Sequence, residues 1–337
     1  MLPINQPKKE SFFVSSRKLK KALLATAIFL SGCNSEVQVD SKRIVAVEPI
    51  VCDLVNAIAP PSIPVNCLIQ EHQDPHNFKI TPQAAQTLNE STLIITLGRE
   101  MTPSIAKWIK KPSTILVGVS AIKRGGVSEH HEGNHDDHLH YGLDPHIWHD
   151  PLNIRQMSNL IADSINRYFL SSDNRKSQIL EERRKIVNSV LLGLDQWNRK
   201  QIATIPIKNR FLASKHKAME YYAYKYGFNT LGLLNYLGHS GSLRPETISS
   251  VMRKLKENNV QALFAEQNPP SKLIKSISRK SSIPIASKPI YVDGIKPGGS
   301  IITTAISNTC IIVNSLSGAC NNQTGQSLKV RWESLVR

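Results

Sequence analysis

Short apolar runs alternate along the chain with longer stretches of helical period, and that alternation predicts an α/β protein. Ile44-Val45-Ala46-Val47 reads as a strand, followed by a helix from Val51 to Ile58. Val65 to Ile69, Leu93 to Leu97 and Thr114 to Val117 are further strands. Between the second and third of these four strands, Thr81-Pro82 opens a helix, with threonine as N-cap and proline at the first helical position. The βαβα order predicts parallel sheets with helices on both faces. From Leu152 to Ile202 the pattern is helical throughout, and Ser172-Asp173 caps a segment without glycine until Gly193. At 1.5 Å per residue that segment spans about 45 Å, more than one lobe needs, so it reads as a strut between two lobes. The alternation then resumes: strands at Arg210 to Ala213, Ala262 to Ala265 and Ile285 to Ser287, with helices at Lys217 to Tyr226, Pro245 to Asn258, Pro270 to Arg279 and Gly299 to Ser315.

These elements predict two α/β lobes with parallel sheets, joined by one long connecting helix. The predicted boundaries are an N-terminal lobe at 42–171, a connecting helix at 172–204, a C-terminal lobe at 205–325 and a tail at 326–337. Residues 1–33 read as an export signal. Arg17, Lys18, Lys20 and Lys21 precede the apolar run Ala22 to Leu30, which ends in Leu30-Ser31-Gly32-Cys33. The run is shorter than the ~20 apolar residues of a membrane span. Its end resembles the lipobox of bacterial lipoproteins, which implies cleavage before Cys33 and lipid on its thiol. Residues 34–41 then read as a tether, and the protein as lipid-anchored on the outer side of the cell membrane, facing a periplasm where the envelope has one.

The formal net charge is +16, about a third of it in the signal. The remainder is scattered over helical segments with no aromatic-interleaved stripe, so no nucleic-acid partner is expected. Besides Cys33 there are Cys52, Cys67, Cys310 and Cys320. An exported location permits disulfides, and four cysteines allow three pairings. Local closure, Cys52 with Cys67 and Cys310 with Cys320, is the chosen pairing because each pair flanks one predicted helix or turn. Neither pair has the Cys-x-x-Cys spacing of a thiolate zinc site.

The chemistry lies in two tripeptides, Asp74-Pro75-His76 and Asp144-Pro145-His146. Each sets an imidazole on a turn behind a carboxylate, and histidine is the commonest transition-metal ligand. His76, His216 and Asp293 all follow predicted strands, and open α/β sheets bind ligands beyond the carboxyl ends of their strands.

Several stretches resemble the solute-binding lipoproteins of zinc- and manganese-type ABC importers. They are Asp74-Pro75-His76-Asn77-Phe78, Leu97-Gly98-Arg99-Glu100 and Asp144-Pro145-His146-Ile147-Trp148-His149-Asp150-Pro151. Ser214-Lys215-His216-Lys217-Ala218, Phe264-Ala265-Glu266 and Asp293-Gly294 follow in the family's order. The resemblance implies a metal site in the cleft between the lobes, with His76, His146 and His216 as ligands and Asp293, Glu266 or water as the fourth. Manganese-selective relatives tend to carry a carboxylate where this chain has His216, so Zn²⁺ is the expected cargo and Mn²⁺ the alternative. Lys79-Ile80 and Val292-Asp293-Gly294-Ile295 depart from the family pattern. The first departure places a cation within reach of the site, and the second leaves the fourth position open to Asp293, Glu266 or water.

The segment 128–141 holds His130, His131, His135, His138 and His140 without an apolar period. It reads as a mobile histidine-rich loop that captures metal loosely as an accessory. His72, His149 and His239 have no assigned role beyond a supporting one for His72. The expected activity is high-affinity metal capture by a monomer and delivery to a cognate ABC permease. A surface adhesin or zinc reservoir fits the same ligands. A zinc hydrolase is the weakest reading: His216 and Glu220 are four apart, as on one helix face, but there is no His-Glu-x-x-His helix. No enzymatic activity is expected.

Overall fold

A computed structural model describes residues 42–71, 73–122, 144–236 and 245–336. The export signal, Cys33, the tether, His72, the histidines at 130–140 and His239 lie outside the described residues.

The first lobe is a four-stranded parallel sheet, β1 (Ile44–Ala46), β2 (Val65–Cys67), β3 (Leu93–Thr96) and β4 (Thr114–Leu116), in the order β2-β1-β3-β4. Between them run α1 (Pro49–Ile58), α2 (Pro82–Glu90) and α3 (Ala106–Ile109). The apolar helix α1 is buried on most of its surface, because it lies between the sheet and later helices. Helix α2 starts as its sequence predicts, with Thr81 Oγ1 accepting from the Ala84 amide and Pro82 at the first position.

Helix α4 (Pro151–Ile165) is followed by α5 (Asn174–Ile202), 29 residues capped by Asp173. The α5 stripe Leu180, Val187, Leu191, Leu194 and Trp197 is buried at helical spacing. These residues join the first core; Ile202, at the far end, joins the second. The second lobe holds β5 (Phe211–Ser214), α6 (Glu220–Tyr226), β6 (Asn229–Gly232), α7 (Pro245–Glu257), β7 (Leu263–Phe264) and α8 (Lys272–Ser281). Its sheet is parallel in the order β6-β5-β7. Helix α9 (Ile301–Ser315) also ties the lobes, with Ile301, Ile302 and Ile306 in the first core and Ile312 and Val313 in the second.

Four local expectations change. The strand at Ile285 is only a bridge to Leu263, since Pro284 and Pro289 on either side cannot donate to a ladder. Strand β6 was not expected, because Asn229-Thr230-Leu231-Gly232 carries one large apolar side chain. Helix α6 begins at Glu220, not Lys217, because the Ser214 hydroxyl donates to the His216 carbonyl and the Lys215 carbonyl accepts from Leu234. The expected tail is helix α10 (Gln326–Val336), whose Leu328, Trp332 and Leu335 are buried in the first core. The disulfides are Cys52–Cys67 and Cys310–Cys320, the local pairing.

Helix α10 meets α1 and α9 at one carboxylate. Asp53 Oδ2 accepts from the Ile301 amide at 2.7 Å and from Trp332 Nε1 at 3.1 Å. Burial outweighs both hydrogen bonds and pushes the Asp53 carboxyl from 3.8 up to about 6. Between about pH 4 and 6 the folded state therefore holds a proton that the unfolded chain has lost, and stability falls as pH rises through that window. Asp53→Asn keeps an oxygen acceptor for both donors and removes the ionisation. It is expected to raise stability at pH 7.5 by about 1–2 kcal/mol, discounted for partial solvent contact, with no gain near pH 4. Urea unfolding at the two pH values measures this; an equal effect at both would show that Asp53 ionisation costs nothing.

Candidate metal centre

The two lobes bring the turns that carry the candidate ligands together. After β2, Asp74 Oδ1 accepts from the His76 amide at 2.9 Å and Oδ2 from Asn77 Nδ2 at 2.7 Å, fixing a single 3₁₀ turn, Pro75–Asn77. The second tripeptide uses its carboxylate differently. Asp144 Oδ1 lies 3.0 Å from the His146 amide and 2.7 Å from His146 Nδ1, so it fixes the turn and the ring at once. After β5, Glu266 does both for His216, with Oε1 3.0 Å from its amide and Oε2 2.8 Å from Nδ1.

With Nδ1 of His146 and His216 held by carboxylates, their Nε2 atoms are directed at the second-lobe loop. They stand 3.1 and 3.2 Å from Asp293 Oδ1, and His76 Nε2 stands 3.7 Å from the same oxygen. His76 and His146 Nε2 are 3.3 Å apart. The donor atoms of His76, His146 and Asp293 all lie within 4.8 Å of one another; His216 does not meet that limit with every one of them and joins through Asp293. Three imidazole nitrogens thus converge on one carboxylate oxygen. Donors around a tetrahedral zinc with bonds of about 2.0–2.1 Å sit roughly 3.3 Å apart, so the spacing of His76, His146 and Asp293 suits a small cation, and His216 would have to move inward to complete the set.

Residues 44–313 match the family described as "Zinc-uptake complex component A periplasmic" (ZnuA). The chain belongs to this family. Its members are solute-binding components, not enzymes, and this ZnuA-family protein is a metal-binding substrate-binding component of an ABC transporter. It is similar to the manganese-binding lipoprotein MntA of Halalkalibacterium halodurans, 24% identical over 290 residues that cover 84% of this chain and 92% of MntA. It is also similar to the iron ABC transporter substrate-binding lipoprotein MtsA of Streptococcus pyogenes, 24% identical over 306 residues that cover 83% of this chain and 94% of MtsA. Among solved structures, the periplasmic zinc-binding protein TroA of Treponema pallidum superposes with a TM-score of 0.68 at 18% identity, covering 82% of this chain and 99% of TroA. That likeness establishes the fold, two α/β lobes and a long connecting helix. The three names carry three metals, so kinship does not choose the ion.

The electrostatics of the ZnuA-family site follow from the same contacts. Burial alone would raise the Asp293 carboxyl, but hydrogen bonds from His146, His216 and His76 outweigh it and hold the carboxyl well below its ordinary range. Burial would lower His216; hydrogen bonds to Asp293 and Glu266 reverse that and raise it to about 10. His146, 4% exposed, is raised by Asp144 and Asp293 against its own burial. Only a deprotonated imidazole nitrogen coordinates a metal, so a cation bound by these rings would have to displace protons.

Sequence reasoning passed over two groups. His149 was given no role, yet its Nε2 lies 3.0 Å from the Val292 carbonyl, beside Asp293. Burial, then the neighbouring His146 charge, pushes it down to about 4, so at neutral pH it is a neutral N–H donor to that carbonyl. Its signal was the spacing His146-Ile147-Trp148-His149, one 3₁₀ turn. Glu48, 1% exposed, accepts from Thr96 Oγ1, Thr102 Oγ1 and the Leu97 amide beneath the first sheet's C-terminal edge; nothing in its local pattern marked it. Glu266 was weighed as a fourth ligand, but both its oxygens are engaged by His216. Lys79 is exposed. Glu220, the general base of the hydrolase reading, does not share a helix face with His216, which precedes α6, and its carboxylate accepts from Thr230 Oγ1.

Proposed function

We infer that this protein captures Zn²⁺ between its lobes, with His76, His146, His216 and Asp293 as ligands, and delivers it to the permease of an ABC importer. The observation that carries this reading is the convergence of three imidazole Nε2 atoms on one Asp293 oxygen. Three nitrogens and one oxygen form a borderline-soft, four-donor set that suits Zn²⁺ better than Mn²⁺, which favours more oxygen donors. Backing carboxylates on two of the rings raise imidazole basicity and fix the coordinating tautomer. The composition of Glu129 to His140 supports loose accessory capture by His130, His131, His135, His138 and His140. The lipobox-like Leu30-Ser31-Gly32-Cys33 supports a lipid anchor, and among the described residues no helix is long and apolar enough to cross a membrane.

The test is metal content and competition binding on the mature protein, compared with a variant lacking residues 129–140. One tight zinc per chain, undisplaced by excess Mn²⁺ and retained in the deletion variant, is the expected result. Manganese held against zinc would overturn the metal assignment. Binding lost with the segment alone would move the tight site out of the cleft.

A further inference from the structure

His146 sits in the segment Asp144–Asp150, which packs with the first lobe but, besides the His146–Asp293 contact, is bonded to the second at three points. The Tyr221 hydroxyl donates to the Asp144 carbonyl at 3.3 Å. His149 Nε2 is 3.0 Å from the Val292 carbonyl. Lys225 Nζ lies 3.2 Å from Asp150 Oδ1, with side chains 14% and 17% exposed. Two of these ties come from α6, the helix that follows His216. Helix α6 is wedged between the lobes: Tyr221 packs in the first core, while Tyr222, Ala223 and Tyr226 pack in the second.

The Lys225 contact is not an ordinary surface pair, whose net worth is small. Asp150 also caps α4, its Oδ1 accepting from the Leu152 amide at 2.8 Å. Behind Lys225 stands a second carboxylate, Asp195, with Oδ1 3.9 Å away. Asp195 is 5% exposed and is matched by Arg199 Nε at 3.1 Å and the Tyr226 hydroxyl at 3.0 Å. Two cations thus face two carboxylates where α4, α5 and α6 meet. Without the Lys225 ammonium, Asp150 would keep the Leu152 amide and Asp195 would keep Arg199 and the Tyr226 hydroxyl, but the cation shared between the two carboxylates would be gone.

We propose that Lys225 is a positioning residue that clasps the His146 turn to the helix following His216 and thereby sets how slowly the bound ion leaves. The proposal rests on the cleft ligand set inferred above. The clasp touches none of the ligand side chains. It fixes the distance between ligand-bearing turns from different lobes, so His146, His216 and Asp293 move as one unit and lobe separation requires this pair to break.

The experiment compares wild type with Lys225→Met, Lys225→Arg and Asp150→Asn, each loaded with Co²⁺ and then with Zn²⁺. The d–d spectrum of the cobalt forms is expected to match wild type, since the ligands are unchanged. Zinc loss to excess chelator is expected to be about tenfold faster in Lys225→Met and close to wild type in Lys225→Arg. Asp150→Asn, which retains a good N-cap, should show a similar acceleration, and the double variant Lys225→Met/Asp150→Asn should be no faster than either single one. A zinc dissociation rate unchanged in both single variants would overturn the clasp, as would strictly additive effects. Should Lys225→Met fail to fold, Asp150→Asn decides the question. If wild type takes up no metal, the functional reading fails, and that outcome is distinct from a clasp without effect.

Discussion

His146→Ala is expected to lower zinc affinity by more than about a hundredfold, since losing even a backing carboxylate costs about 10–100-fold at such sites. His146 stands at the centre of the donor set, 3.3 Å from His76 Nε2 and 3.1 Å from Asp293 Oδ1. Its loss removes one nitrogen donor and leaves the Asp144 carboxylate without its ring partner. Asp144→Asn keeps the histidine but weakens its orientation, and falls between wild type and His146→Ala. Competition against a chromogenic chelator at fixed pH orders the three proteins. Wild-type affinity in His146→Ala would remove the cleft as the tight site, because none of the other donors lies at its position.

Trp332→Ala is the largest expected loss of stability, about 3–5 kcal/mol by the usual cost of deleting a fully buried aromatic side chain. Trp332 is 0% exposed in the first-lobe core. Its indole N–H is also one of two donors to Asp53, a carboxylate already disfavoured by burial. The alanine variant therefore creates a cavity and leaves a buried acceptor short of a partner. Domains of this kind are stable by only about 5–15 kcal/mol, so the urea midpoint should fall steeply. A shift worth less than about 1 kcal/mol would mean that α10 is a dispensable tail after all.

That helix shows where reading along the chain stops being sufficient. Leu328, Trp332 and Leu335 have helical spacing, but Val330 and Val336 in the same eleven residues are apolar too and stay exposed, so the pattern specifies neither one face nor a partner. The partner is the surface of α1 and α5, distant in the chain. Strand β6 is a similar case. Asn229 to Gly232 has almost no strand pattern and pairs because β5 presents a free edge in register, with Phe211 opposite Asn229 through Ser214 opposite Gly232. The Ile285 segment has the opposite outcome, a strand-like composition reduced to one bridge by the prolines around it.

Elements with strong local signals were legible in order and type: the buried strands of the first sheet, the Thr81-Pro82 helix start and the 29-residue helix capped by Asp173. Such features depend on periodicity, capping and proline chemistry within a few residues, and a linear reading contains all of these. The candidate ligands were legible for a related reason, since histidines on Asp-Pro-His turns and at strand ends form a local pattern with a chemical meaning. The assignments made to their neighbours were not. Two Asp-Pro-His tripeptides look alike on paper, yet Asp74 serves only its own turn while Asp144 also holds an imidazole ring. Glu266, fifty residues from His216, fixes that ring and has both its oxygens engaged there. Lys225 finds Asp150 only because α6 is wedged between two cores. The Glu266 and Lys225 contacts depend on where a carboxylate or ammonium comes to rest against groups far away in the chain, and packing of the lobes sets that distance.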